Sequence, residues 1–101
     1  MTTWLVTRHP GAVAWARRHG IEADRFVEHL SLADIATQVG LRDTVIGILP
    51  VNLAAAVCQR GARYLHLAIE LPAQLHGQEL DADQLDALQA RLQAFHVDPL
   101  P

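Results

Sequence analysis

Apolar and polar positions follow two different periods along the chain, and their alternation predicts a regular order of strands and helices. Short apolar, β-branched runs are typical of buried strands, and apolar residues spaced three or four apart are typical of helices. The predicted strands are Thr3–Thr7, Arg25–Leu30, Thr44–Ile48 and Arg63–Ile69, and the predicted helices are Ala12–His19, Leu32–Val39, Val51–Arg60 and a last helix after Asp81.

The last helix has the most regular pattern of the four. Asp81 can cap it, with Gln84 three residues further on in the arrangement of a capping box. Its predicted apolar stripe consists of Leu85, Leu88, Leu92 and Phe95. This stripe predicts a helix that continues almost to the end of the chain.

The order of elements predicts an α/β domain in three layers, with a mainly parallel sheet covered by helices. If the sheet grows outward from its middle, the first and third strands are neighbours and the chain order reverses between them. Ligands of open α/β sheets bind in the crevice at such a reversal. Two loops would meet there, Thr7–Gly11 and Leu49–Asn52. We therefore expect the ligand site at these loops.

The size of the chain fits one domain, residues 1–101, and its composition fits a globular core. Half of the residues are apolar (50%) and only 19% are charged, which excludes a disordered chain. A core of this size is nevertheless small. Homodimerisation would supplement it, and we expect a homodimer.

The sequence predicts a cytoplasmic protein without a membrane partner. Residues 1–6 do not resemble a secretory signal, and no stretch approaches the roughly 20 apolar residues that span a bilayer. The single cysteine, Cys58, has no internal partner for a disulfide, which fits a reducing compartment.

The charge distribution favours a small anionic ligand over long nucleic acid. The net charge is −3, the sequence pI is about 6.0, and the chain contains no lysine. A general nucleic-acid binder usually presents a strongly basic face. Any cationic side chain that holds a phosphate here must be an arginine, which binds phosphate oxygens with two parallel hydrogen bonds.

The first of the two loops carries the side chains with the most chemistry. Thr7, Arg8 and His9 place a hydroxyl, a guanidinium and an imidazole between a strand and the N-terminus of the next helix, where backbone amides suit a phosphate. Gly11 would let a ligand approach the backbone closely. The structural alternative is that Thr7 ends the strand while Arg8 and His9 are ordinary solvated loop residues.

The second loop and the fourth strand carry weaker signals. Leu49 and Pro50 open the second site loop, and Asn52 can bind a ligand or simply cap the helix. His66 alternates with apolar neighbours in a strand, so we expect a hydrogen-bonded core histidine. The spacing of the other histidines and Cys58 does not resemble a metal site, and we predict no metal and no cofactor.

Three segments, Thr3–Ala12, Asp43–Ala55 and Cys58–Leu67, together resemble the small CRISPR-associated proteins of the Csx-sixteen family. The likeness covers residues 1 to about 70. The last helix is similar only in type, and nothing is carried over for Ser31–Arg42.

The resemblance implies a Rossmann-like homodimer of type III CRISPR defence, related to the CRISPR-associated Rossmann-fold sensors. It further implies a ring nuclease, which linearises cyclic oligoadenylate, most of all cyclic tetra-adenylate, by metal-independent attack of a ribose 2′-hydroxyl. Position then assigns catalysis to Arg8 and His9. Position assigns ligand binding to Thr7, Pro10, Gly11, Leu49, Pro50 and Asn52. The alternatives are a sensor or sink that binds the same ligand without cleaving it, and a dimeric scaffold.

Overall fold

Five strands form a single sheet in the computed structural model of the chain, which describes residues 1–101. The strands are β1 (Thr3–Val6), β2 (Arg25–Val27), β3 (Thr44–Gly47), β4 (Arg63–Ala68) and β5 (Arg91–Phe95), and the helices are α1 (Pro10–Arg18), α2 (Leu32–Gln38), α3 (Val51–Gln59) and α4 (Ala82–Ala87). The sheet order is β2-β1-β3-β4-β5, parallel throughout except for β5. The predicted neighbourhood of β1 and β3 is confirmed.

Alternate side chains of the central strands enter two separate apolar layers. Trp4, Val45 and Tyr64 face α2 and α3, whose buried residues complete the first layer. Leu5 and Ile46 point to the opposite face, where α1 and α4 complete the second layer. A sheet between two helical layers confirms the predicted three-layer α/β architecture.

The helix α2 begins with a reciprocal pair of capping hydrogen bonds. Its N-terminus is a capping box: the Asp34 backbone N–H donates to Ser31 Oγ, and the Ser31 backbone N–H donates to an Asp34 carboxylate oxygen, each at 3.0 Å. The predicted helix over Leu32–Val39 is therefore confirmed to within one residue.

The predicted last helix begins as expected but is much shorter. The capping box between Asp81 and Gln84 is present, with the Gln84 backbone N–H 2.8 Å from Asp81 Oδ1. However, α4 ends at Ala87, and Gln89 takes a left-handed conformation with φ of 58°. The chain then turns back toward the sheet.

The prediction of one helical stripe through Leu92 and Phe95 was wrong, because residues 91–95 form the edge strand β5. Leu92 pairs with Leu67 on one face of the sheet, whereas Phe95 pairs with Tyr64 on the other. Without β5, β4 would expose a row of unpaired backbone groups. Satisfying these groups outweighs the local helical pattern.

The helices are also short in absolute terms. No helix of the structure is long and apolar enough to cross a membrane.

Candidate functional site

A cavity of about 530 Å³ opens where the parallel strands end. The loop after β1 contributes Thr7, Arg8 and His9 to its lining, and the loop after β3 contributes Leu49 and Pro50. The two loops that strand order predicted as the ligand site thus line one cavity. Its volume lies within the range of about 300–1,000 Å³ that is usual for small-molecule sites.

The cavity has apolar walls and a polar rim. Its walls come from both helical layers and from the strands, as Leu5, Val6, Leu30, Leu53, Leu67, Ile69, Leu80 and Leu85. Its polar lining consists of Thr7, Arg8, His9, Glu28, His29 and Gln78. Such a cavity suits a ligand that has both an apolar part and a charged part.

The β1–α1 loop is held in a tight local turn. The His9 backbone N–H donates to Thr7 Oγ1 at 3.1 Å. Arg8 projects from this turn as an exposed side chain and takes part in none of the ion pairs of the structure. Its guanidinium is therefore available to an anion, with Glu28 as the acidic residue that shares its rim.

The imidazole of His9 is oriented by a carboxylate from a distant part of the chain. His9 Nδ1 lies 2.9 Å from Glu79 Oε1 and 3.1 Å from Oε2. A carboxylate accepts only, so Nδ1 of His9 donates to Glu79, and Nε2 is left to exchange a proton with a ligand. This is the arrangement in which a carboxylate orients a histidine for proton transfer.

Two helices begin at the same edge of the sheet without a capping side chain. Neither α1 nor α3 has a side-chain cap, and neither first turn contains an acidic residue. The positive ends of both helix dipoles therefore point toward the crevice, with the Glu79 carboxylate beside the α1 N-cap residue His9.

The interpretation of Asn52 as a helix cap was wrong. The N-cap of α3 is Pro50, and Asn52 is an exposed residue of the first turn that does not line the cavity. Pro10 lies in a shallower hollow beside the cavity, together with Arg17.

The space beside Gly11 is occupied by the chain itself rather than left open for a ligand. A Cβ at Gly11 would overlap the carbonyl oxygen of Leu80 and would lie 2.8 Å from the Leu80 carbonyl carbon. Glycine is thus needed for the close packing of α1 against the segment before α4. That segment supplies Leu80 to the cavity wall.

We expect Gly11→Ala to destabilise the fold by about 1–3 kcal/mol, because the added methyl forces two backbone segments apart. Urea unfolding measures the effect. Gly40→Ala is the matched control, since its added Cβ would come no closer than 3.7 Å to Asp43 Oδ2. Equal unfolding midpoints for Gly11→Ala and the wild type would contradict this explanation of Gly11.

The buried side chain of Tyr64 holds the loop between β3 and α3 by hydrogen bonds. Tyr64 Oη accepts a hydrogen bond from the Leu49 backbone N–H at 2.9 Å and lies 3.1 Å from the Gly47 carbonyl oxygen. Burial raises the pKa of the Tyr64 hydroxyl, although the hydrogen bond from Leu49 acts in the opposite direction. The group therefore stays a neutral hydroxyl that fixes the loop.

Metal-ligating side chains do not cluster in the structure. No group of three or more His, Cys, Asp or Glu side chains is placed to hold a metal ion, and Cys58 is buried.

Residues 4–98 match the model of the family Cas_VVA1548, which carries the description "Putative CRISPR-associated protein". The chain belongs to this CRISPR-associated family. No curated protein and no solved structure matches the chain.

The family match covers nearly the whole fold. It includes both crevice loops, and it extends through α4 and β5, well past the point near residue 70 where the sequence resemblance ended. The resemblance to CRISPR-associated proteins is confirmed at the level of the family.

Sequence analysis did not identify the polar residues that reach the cavity rim from the segment before α4 and from the loop after β2. Glu79 and Gln78 precede α4 and reach the crevice only through tertiary packing. Glu28 and His29 were detectable in principle, because they follow a parallel strand. They were hidden because that strand was predicted to run to Leu30, whereas β2 ends at Val27.

Proposed function

We propose that this chain is a ring nuclease of type III CRISPR defence that acts in the cytoplasm as a homodimer. It binds cyclic oligoadenylate, with cyclic tetra-adenylate as the expected substrate, and linearises it to switch off signalling. One observation carries the proposal: Arg8, whose guanidinium forms no ion pair, and His9, whose imidazole is oriented by a carboxylate, both line an apolar cavity. Membership in a CRISPR-associated family supports the same context.

The cavity matches the two chemical parts of an adenylate. Leucine and isoleucine walls accept the face of a purine base. The guanidinium of Arg8 binds phosphate oxygens, and the Gly11 backbone N–H and the dipole at the start of α1 add to that attraction.

The surface beside the cavity suits a second copy of the chain. Ile48 and Val51 are 59% and 73% exposed, and they lie in or next to the β3–α3 loop. Covering these side chains in a two-fold dimer would place two crevices side by side. Cyclic tetra-adenylate has the matching two-fold symmetry.

The chemistry requires no group beyond the ligand and the protein. The ribose 2′-hydroxyl attacks the adjacent phosphorus, and the bond from phosphorus to the 5′-oxygen of the next nucleotide breaks. Arg8 stabilises the charge that develops on the phosphoryl oxygens, and His9 exchanges a proton with the reacting groups. The products carry a 2′,3′-cyclic phosphate and a 5′-hydroxyl. Most of the rate enhancement comes from holding the attacking oxygen in line with the leaving group.

Incubation of the purified protein with cyclic tetra-adenylate, with and without EDTA, tests the proposal. We expect linear products with a 2′,3′-cyclic phosphate at equal rates in both samples, and a dimer in sedimentation at micromolar concentration. Cleavage that EDTA abolishes and manganese restores would overturn the metal-independent mechanism. Tight binding without cleavage would instead indicate a sensor or sink, and a monomer with ligand present would refute the dimer.

A further inference from the structure

A second set of polar side chains lies across the β3–α3 loop from Arg8, on the face of β4 and β5. His66 pairs with Gln93 in the register of these strands, and Ala68 pairs with Arg91, so all four residues share one face. Gln93 and Arg91 are exposed, and His66 is half-buried. Arg91 has only a long contact to a carboxylate, 3.9 Å from Nη2 to Glu70 Oε1.

The hydrogen bonds of Tyr64 determine which nitrogen of His66 carries the proton. Tyr64 Oη lies 2.7 Å from His66 Nδ1, 2.9 Å from the Leu49 backbone nitrogen and 3.1 Å from the Gly47 carbonyl oxygen. The hydroxyl has one proton, and only Gly47 among the backbone partners can accept it. All three contacts are satisfied together only if Nδ1 of His66 donates to Tyr64.

The other nitrogen of His66, Nε2, is therefore an unprotonated acceptor in the neutral ring, and it reaches the surface. Nε2 has no hydrogen-bond partner in the structure. Because every buried side-chain nitrogen and oxygen has a partner, Nε2 must be accessible to solvent. The ring itself is held in place, since the Tyr64 and Phe95 ring centroids each lie 5.8 Å from its own. His66 thus presents an oriented lone pair to solvent.

The register of the sheet places the backbone of His66 near the proposed site, next to the cavity rather than in its lining. Val6, Gly47 and His66 lie level with one another on β1, β3 and β4. Two strand spacings, about 10 Å, therefore separate the backbone of His66 from the end of β1. A phosphate bound over the β3–α3 loop would lie between His66 and His9.

We infer that His66 is a further catalytic residue for the reaction proposed above, on which this inference rests. Nε2 of His66 takes the proton of the 2′-hydroxyl as its oxygen bonds to phosphorus. The bond from phosphorus to the 5′-oxygen breaks, and that oxygen takes a proton from protonated His9. The two histidines then return to their starting states by proton exchange with water. Arg91 supplies positive charge to the phosphate from this side of the loop.

The variant His66→Asn separates the two nitrogens of the ring. The asparagine amide stands in for Nδ1 and can still donate to Tyr64, but it offers nothing in place of Nε2. We expect cleavage of cyclic tetra-adenylate to fall at least about a hundredfold, with an unchanged unfolding midpoint and unchanged affinity. The rise of kcat/KM with pH that reports the base should disappear. His76→Asn, at an exposed histidine, should cleave like the wild type.

Long-range ¹H–¹⁵N NMR of the wild type tests the proton position without reference to activity. We expect neutral His66 to carry its proton on Nδ1, and an Nε2-protonated ring would overturn the inference. If the wild type cleaves and His66→Asn cleaves at the same rate, the catalytic role of His66 is overturned and the proposed function stands. A wild-type protein that binds but does not cleave would overturn the proposed function, and the catalytic role of His66 with it.

Discussion

Arg8→Ala is expected to lower the rate of cyclic tetra-adenylate cleavage about a hundred- to a thousandfold, the usual consequence of removing a charge-stabilising group from a transition state. The position of Arg8 supports this expectation as well as its charge. Arg8 is exposed on the cavity rim and forms none of the ion pairs of the fold, so its loss removes a contact to the ligand and leaves the protein intact. Single-turnover cleavage measures the rate, and circular dichroism and sedimentation check folding and assembly.

The matched control removes an arginine from the opposite edge of the sheet. Arg63 is exposed at the amino end of β4, and Arg63→Ala should cleave at the wild-type rate. Arg8→Lys keeps the charge but loses the paired hydrogen bonds to phosphate, so its rate should fall between those of the wild type and Arg8→Ala. If Arg8→Ala remains a folded dimer and cleaves normally, the crevice is the wrong site.

The parts of the fold that local patterns determine were predictable. The strands β1 and β3 are short apolar runs, each followed within four residues by a proline, and each is buried on both faces. Their adjacency followed from the connection rules of parallel sheets, and it located the crevice. Membership in a CRISPR-associated family was also predictable, from the segments around the same two strands.

The C-terminal part of the chain was not predictable from local patterns. Leucines at positions 85, 88 and 92 fit a helix as well as they fit the observed helix, turn and strand. What decides between them is the open edge of β4, to which β5 pairs antiparallel. Because the strand was missed, Arg91 and Gln93 could not be placed beside His66.

Two contacts of the candidate site differ in how they could have been found. The pairing of His9 with Glu79 joins residues 70 positions apart, and only the packed fold brings them together. The contact of Tyr64 with His66 joins residues two apart in one strand, which must share a face. We expected His66 to be a fully hydrogen-bonded core histidine and did not consider its contact with Tyr64. In the structure, only one ring nitrogen of His66 forms a hydrogen bond.

Asp43→Asn is expected to destabilise the fold by on the order of 3 kcal/mol, because it removes a buried charge that accepts several hydrogen bonds. Asp43 is 6% exposed and is the only buried charged residue. Its carboxylate accepts from the backbone N–H groups of Thr2 and Gly40, each at 2.8 Å, and from Trp4 Nε1 at 3.2 Å. An asparagine turns an NH₂ group toward donors that need an acceptor.

The Asp43 carboxylate also makes the free energy of unfolding depend on pH, so that stability falls on acidification. Burial by itself would raise the pKa of Asp43, but the hydrogen bonds from Gly40, Thr2 and Trp4 outweigh it and hold the pKa below its ordinary 3.8. The unfolded chain therefore binds this proton more readily than the folded one. The contribution of Asp43 to the free energy of unfolding is complete at pH values above the ordinary pKa of an aspartate. It is lost as the pH falls through the lower pKa of Asp43 in the folded protein.

Urea unfolding across the acidic range checks this prediction, with Asp24→Asn as the matched control. Asp24 is exposed, and its Oδ2 accepts one hydrogen bond, from the Thr3 backbone N–H at 2.8 Å, so its substitution should cost about 1 kcal/mol or less. The wild type should lose stability on acidification more steeply than Asp43→Asn. Parallel pH curves for the two proteins would contradict a depressed pKa at Asp43. Because Asp43 ties the start of β1 to the turn before β3, its loss loosens the two strands whose far ends form the crevice.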